Sequence, residues 1–432
     1  MDIFRREFLV ASAAGLASSS LLAGRDGRRR RPRVAAIYTV FTYRSHGHVL
    51  LENFLQPYLF NGQPTDPGVE IVSFYRDQSP QGDMTDDVSK RYGIPVYESI
   101  REALCLGGDE LAVDAVLSIG EHGSYPKTKL GQTMYPRKRF FDEILEVMKD
   151  SGRVVPVFND KHLSYRWDWA SEMVEACREH GIPLLAGSSV PLAERNPAME
   201  FPRGAVVEEA ISIHGGPVES YDFHALEVLQ SIVESRRGGE TGIKQVRFFD
   251  AEAVRQNARL GHWSEDLVAA AMKAQLGYLP DDLGAIKGED KIEPHAIQLT
   301  YNDGLKATVL RVGHDSTRWN FACRLKKQSQ LLSTAFQVGP WENRNLFKAL
   351  AHAIQHHFRT GKPPYPAERT LLVTGTLAAA MQAMQEESGM LQTPHLAIRY
   401  QAGKFTAMRE MGASWKIITD EMPQPSGIHG ET

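Results

Sequence analysis

The sequence predicts an α/β chain in two parts, a doubly wound N-terminal domain on a parallel sheet and an α+β C-terminal domain with a mainly antiparallel open sheet. From Arg33 to about residue 190, short β-branched runs alternate with longer helical stretches, the pattern of parallel strands joined by helices. Beyond that point the extended segments lengthen and the alternation stops. A chain of 432 residues, 42% hydrophobic and 24% charged, is globular and long enough for two cores.

Residues 34–40 form the first expected strand, 49–58 the crossover helix, and 61–68, with Asn61-Gly62 and Pro67-Gly68, a turn-rich loop. A second strand at 69–75, a helix at 86–92, a short strand at 95–97 and a helix at 100–106 follow. The run 113–119, apolar but for Asp114 and Ser118, reads as a buried fourth strand. Helix 137–149, strand 153–158, helix 167–180 and strand 183–187 complete a Rossmann-like domain over residues 34–190. In 191–422, strands are expected at 205–214, 245–249, 295–301 and 307–312, with helices at 220–236 and 345–360. Residues 423–432 are polar, contain prolines and read as a loose tail.

Residues 1–24 run from a basic head through an uncharged middle to a small-residue end, with Arg5-Arg6 directly before Glu7-Phe8-Leu9. That order resembles a twin-arginine export signal. Its Ala, Ser and Gly content is too polar for a spanning helix, which needs about 20 strongly apolar residues. The chain is therefore expected to leave the cytoplasm folded, through the twin-arginine translocation machinery, for a periplasmic or other extracytoplasmic location. Leu21, three positions before a cut after Ala23, breaks the small-x-small rule, which leaves open retention at the membrane by an uncleaved signal. Residues 25–33 form a basic linker whose charge is local. Overall, 49 Lys and Arg face 53 Asp and Glu, which excludes a general attraction to nucleic acid. Cys105, Cys177 and Cys323 show no metal-site spacing and are expected to be buried thiols.

Four stretches carry chemistry. Arg76-Asp77 ends the second strand, with Gly93-Ile94-Pro95 following. The fourth strand runs into Glu121-His122-Gly123. Asn159-Asp160-Lys161-His162 follows the fifth, and Gly215-Gly216-Pro217 precedes Ser220, Asp222 and His224. In this order they resemble the glucose-fructose oxidoreductase, inositol dehydrogenase and MocA (Gfo/Idh/MocA) family over most of the chain after the linker. The resemblance implies that the first domain holds NAD or NADP while the second presents a sugar or sugar derivative for hydride transfer. It implies Lys161 and His224 as catalytic residues, Lys161 orienting the substrate oxygen and His224 moving its proton. Glu121, His122, Ser220 and Asp222 would contact substrate. Asp77 would take a ribose hydroxyl pair, with Arg44, Ser45, Arg76 and Asp160 completing the cofactor contacts. Through its open sheet in the second domain, the resemblance also implies a homo-oligomer.

The chain departs from the family pattern at several points. His162 replaces the family's proline, Asp160 its glutamate and Ser220 its aspartate. In place of Gly-x-Gly-x-x-Gly after the first strand stands Tyr38-Thr39-Val40-Phe41-Thr42-Tyr43-Arg44-Ser45-His46. Those glycines let backbone approach a pyrophosphate. Either the loop wraps the phosphates through Arg44, Ser45 and main-chain amides, or the dinucleotide site is lost. Two other readings stay open. His46, His48 and His122, with Asp160 and His162, suit the metal centre of a hydrolase or lyase. The missing glycines also suit a non-catalytic sugar- or partner-binding module, against which Lys161 and His224 speak.

Overall fold

After Arg33, every residue of β1 (Arg33–Tyr38) is apolar or aromatic and buried, as suits a strand at the centre of a sheet. The computed structural model describes residues 30–279, 293–312 and 318–428, with the side chain of Ala258 excepted. Pro32–Thr432 form one unit, and the expected export signal lies outside the described residues. After β1 come α1 (His46–Leu55), the hairpin of β2 (Tyr58–Phe60) and β3 (Gln63–Thr65), β4 (Glu70–Arg76), α2 (Thr85–Tyr92), β5 (Val96–Tyr97) and α3 (Ile100–Cys105). The series ends with β6 (Ala115–Ile119), α4 (Arg137–Asp150), β7 (Val157–Asp160), α5 (Trp167–His180) and β8 (Leu184–Gly187). The sheet order is β5-β4-β1-β6-β7-β8, all parallel. This is the doubly wound order, and its direction reverses between β1 and β6, where ligands sit in such sheets.

The rest of the described chain supplies β9 (Glu194–Asn196), β10 (Val207–His214), α6 (Ser220–Val233), β11 (Ile243–Phe249), α7 (Ala251–Arg255), α8 (Asn257–Leu260) and α9 (Glu265–Leu276). It continues with β12 (His295–Tyr301), β13 (Lys306–Arg311), β14 (Trp319–Leu325), β15 (Leu332–Gln337), α10 (Asn343–Thr360), α11 (Ala367–Ala383) and β16 (Met390–Gln392). Its open sheet runs β16-β11-β12-β13-β10-β14-β15-β9 and is antiparallel except where β10 meets β13. One face packs on α6, whose Phe223, Leu226, Leu229 and Val233 join Ala210, Ile297 and Val309. α9 covers part of the other through Leu267, Val268, Ala271 and Met272 against Ile211, Ile213, Leu310 and Ala322.

Three differences from the expected elements have physical causes. α11 is buried on nearly every side, with Arg369, Thr370, Thr374 and Thr376 buried among its apolar residues, so it has no separate polar face to mark a helix. The turn-rich 61–68 segment folds back as β2–β3. The expected loose tail is anchored as far as Ile428: Arg344 donates to the Pro425 carbonyl (2.8 Å), Arg91 to that of Ile428 (3.2 Å), and the Ile428 side chain enters the core. The three cysteines are buried free thiols. Among the described residues no helix is long and apolar enough to cross a membrane.

Candidate active site at the carboxyl edge of the parallel sheet

Ser45 caps α1, its Oγ accepting from the His48 amide at 3.3 Å, and this capped start aims His46 back at the sheet edge. His46 Nδ1 lies 2.5 Å from Asp160 Oδ2 at the end of β7. The other carboxylate oxygen, Oδ1, accepts the Lys161 amide at 2.8 Å, so Asp160 is locked, fully buried, behind the imidazole. A carboxylate can only accept, so in the tautomer that suits this contact Nδ1 carries the hydrogen and Nε2 is the nitrogen turned away from Asp160. The ring is set edge-on between His122 (centroids 5.0 Å apart) and Phe347 (4.6 Å).

Beside this pair, Glu121 is buried at the end of β6 between two cations, Lys161 Nζ at 3.2 Å from Oε1 and the Arg137 guanidinium on Oε2. Burial alone would raise the carboxyl pKa, but the charges of Lys161 and Arg137 outweigh it, so Glu121 is ionised well below the usual carboxylate range. The Lys161–His162 peptide is cis. His162 Nδ1 lies 2.7 Å from the Ser164 carbonyl and Nε2 3.6 Å from Glu219, which in turn accepts the Thr133 amide. His224, on the first turns of α6, packs against Trp319 and Tyr221, and its Nδ1 is buried without a partner. Burial first, then the charge of nearby Lys161, holds its pKa well below the usual imidazole value. His122 is the most exposed of the group, yet the atoms crowding its ring, followed by His46, also lower its pKa. Lys161, His224, Glu121 and His122 thus fall into one electrostatic cluster, and Ser220 opens the helix that brings His224.

Asp222 does not face that cluster. Its Oδ1 accepts from both His214 Nε2 (2.8 Å) and His295 Nε2 (2.9 Å), pinning α6 to the second sheet. Those three residues are the one His/Asp group among the described residues with donor atoms close enough for a metal. Arg311 pairs in register with both histidines and Phe248 stacks on His295. A cation placed there would sit beside a guanidinium, so the set fits a hydrogen-bonded anchor better. The centre expected from His46, His48 and His122 does not assemble. Two positions along a helix turn the side chain through about 200°, and His48 faces the Arg44 amide (2.8 Å) and Glu52 instead.

The residues expected to hold a dinucleotide are engaged by the chain itself. Arg44 pairs with Glu342 at 2.5 Å, Arg76 with Asp86 at 2.9 Å, and Ser45 is the helix cap. Asp77 accepts from Tyr75 (2.9 Å), Tyr125 (2.6 Å) and Arg139, which lower its pKa against the effect of burial. Where the glycines would stand, Val40 and Phe41 are buried, Phe41 edge-on to Tyr38 and Phe74. A strap lies across the end of β1: Gln78 and Ser124 exchange two hydrogen bonds of 2.9 Å, and Gly123 is so close that a Cβ would stand 2.9 Å from Gln78 Oε1 and 3.3 Å from Val40. In this conformation the residues do not fit the phosphates of a dinucleotide. One glycine role survives, since at Gly47 a Cβ would come within 2.6 Å of the Val40 carbonyl, allowing close helix–strand packing.

No protein-family model matches this chain, and no curated protein sequence matches it. Its fold is similar to that of solved dehydrogenases of the Gfo/Idh/MocA type. The Lactobacillus casei myo-inositol dehydrogenase in complex with NAD(H) and myo-inositol superposes at TM-score 0.53 and 12% identity, over 87% of this chain and 99% of that one. GenD2 from gentamicin A biosynthesis, in complex with NAD, gives 0.52 and 14% over 84% and 96%. A probable dehydrogenase from Thermotoga maritima gives 0.50 and 10% over 84% and 99%. At these identities the likeness is one of fold.

Proposed function

We propose that the chain is an exported oxidoreductase acting on a hydroxyl of a sugar or sugar derivative, with NAD or NADP as redox partner. The observation that carries this reading is the buried Glu121–Lys161–Arg137 cluster beside the His46–Asp160 pair at the switch point of a dehydrogenase fold. Lys161 is held ready to donate to a substrate oxygen and to stabilise negative charge as it develops. His46 is the better base of the two imidazoles, because a carboxylate behind Nδ1 stabilises the imidazolium that forms. Burial disfavours the cation at His224, so His224 accepts a hydrogen bond instead of the proton. NAD or NADP would supply the hydride acceptor, and its seating requires the Gln78–Ser124 strap to lift.

The same strap favours a second reading, a sugar-binding module that no longer takes a dinucleotide. Fluorescence titration of the purified full chain with NADH and NADPH, on wild type and Gln78→Ala, separates them. Binding by either protein supports the oxidoreductase. Failure of both, with sugar binding intact, moves the reading to the module. Export has its own test: replacing Arg5 and Arg6 by lysine is expected to leave the protein in the cytoplasm, and unchanged secretion would remove the twin-arginine route from the proposal.

A further inference from the structure

At the far end of α6 from the candidate active site lies a half-open cleft of about 400 Å³. Ser231 and Ser235 mark its position at the C-terminal end of the helix, and the 14 residues of α6 separate it from Ser220 by about 20 Å. Four cations line it, Arg195, Arg203, Lys404 and Arg409, against one carboxylate, Glu200.

The two arginines with the least exposure are the informative ones. Arg195 is 6% exposed, lies over the Phe336 ring at 5.5 Å and spends one N–H on the Met199 carbonyl, while its Nε is buried without a partner. Arg409 is 2% exposed, pairs with Glu200 at 2.7 Å, and its Nε is likewise buried and unpartnered. Arg203 donates to the Ala402 carbonyl, and Lys404 is exposed on the cleft wall. Buried guanidinium groups are costly unless a counter-charge faces them. Glu200, itself largely exposed, is one charge for four. Burial, with Arg409 next to it, pushes the Arg195 pKa down to about 9, as expected where counter-charge is lacking. None of the four cations is engaged by the helix-end carbonyls of Gln230, Ile232 and Val233, which accept from the Glu234, Ser235 and Arg236 amides at 3.0, 3.2 and 3.1 Å.

We propose that this cleft binds a small polyanion, a phosphate-bearing or multiply carboxylated molecule of about sugar size, at a site distinct from the Lys161 cluster. Arginine forks suit either group, because both present two oxygens to a planar pair of N–H donors. The cleft volume lies at the small end of ligand pockets.

The test is calorimetric titration of the full chain with inorganic phosphate, glucose 6-phosphate and citrate at constant ionic strength. At least one is expected to bind saturably, and Arg203→Ala and Lys404→Ala, both on the exposed wall and harmless to the core, are each expected to weaken it about fivefold. Binding of the phosphates alone, or of citrate alone, supports the site and names the recognised group. Absence of saturable binding by all three, or equal binding by wild type and the double variant, overturns it. The melting temperature of the double variant, expected unchanged, guards against loss of fold.

Discussion

Lys161 and Glu121 hold each other in a buried pair, yet Glu121 keeps Arg137 if the lysine is removed. Lys161→Met is therefore expected to spare the fold and to lower turnover of any sugar the wild type oxidises by about 10²- to 10⁴-fold, the range for a lost acid–base or charge-stabilising group. Melting temperature and steady-state rates on the same preparation check it, and a variant keeping more than about a tenth of wild-type turnover would remove Lys161 from the site. Asp222 makes the opposite case. Asp222→Asn leaves two imidazoles sharing a neutral acceptor, so unfolding free energy is expected to fall by about 2 kcal/mol, as for lost hydrogen bonds to a charged group, while chemistry at Lys161 continues. Equal loss of activity and stability would show that Asp222 serves the reaction after all.

Among elements, the segment between β6 and α4 decides what reaches the sheet edge. It supplies Glu121 and His122 at its start, Ser124 and Tyr125 to the strap, and the Thr133 amide to Glu219. Gln78→Ala with Tyr125→Phe deletes three hydrogen bonds, so the open state gains population and NAD(H) affinity is expected to rise at least fivefold. An unchanged dissociation constant would mean that the strap does not govern entry. The strand–helix alternation made the first domain legible in the sequence, as did the motif order that placed Lys161 beside Glu121 and His122. What stayed hidden are contacts between distant segments. Nothing in the sequence marks Arg137, at the start of the expected helix 137–149, as buried, yet it is 1% exposed, and Gln78 and Tyr125 carry no pattern that announces a strap. Asp222 lies two residues from His224 and is expected beside it at the substrate, yet the turn of α6 sends it to His214 and His295 instead.

At the scale of the whole molecule, burial disfavours the charged form of several of the described histidines. His162, His214, His224, His352 and His357 all have pKa values lowered chiefly by burial, those of His352 and His357 to about 4. The unfolded chain takes up protons at these side chains near pH 6.5, before the folded chain does. Their contribution is therefore complete above that pH and is lost as the pH falls, by up to about 1.4 kcal/mol per unit for each group. Glu52, Glu194 and Glu227, raised by burial, act in the opposite sense, since the folded chain binds their protons first. With His122, whose pKa is likewise lowered to about 4, the lowered imidazoles outnumber these three raised carboxyls and leave a net loss. Depressed carboxylates such as Glu121 and Asp77 join only below about pH 4.5, where their unfolded counterparts protonate. The melting temperature is accordingly expected to fall between pH 7 and 5, ahead of the carboxylate-driven fall. His357→Gln, which keeps a donor near the Val157 and Pro183 carbonyls, should flatten the first segment of that curve. A melting temperature constant from pH 7 down to 4.5 would show that the buried imidazoles take up their protons without loss of the fold.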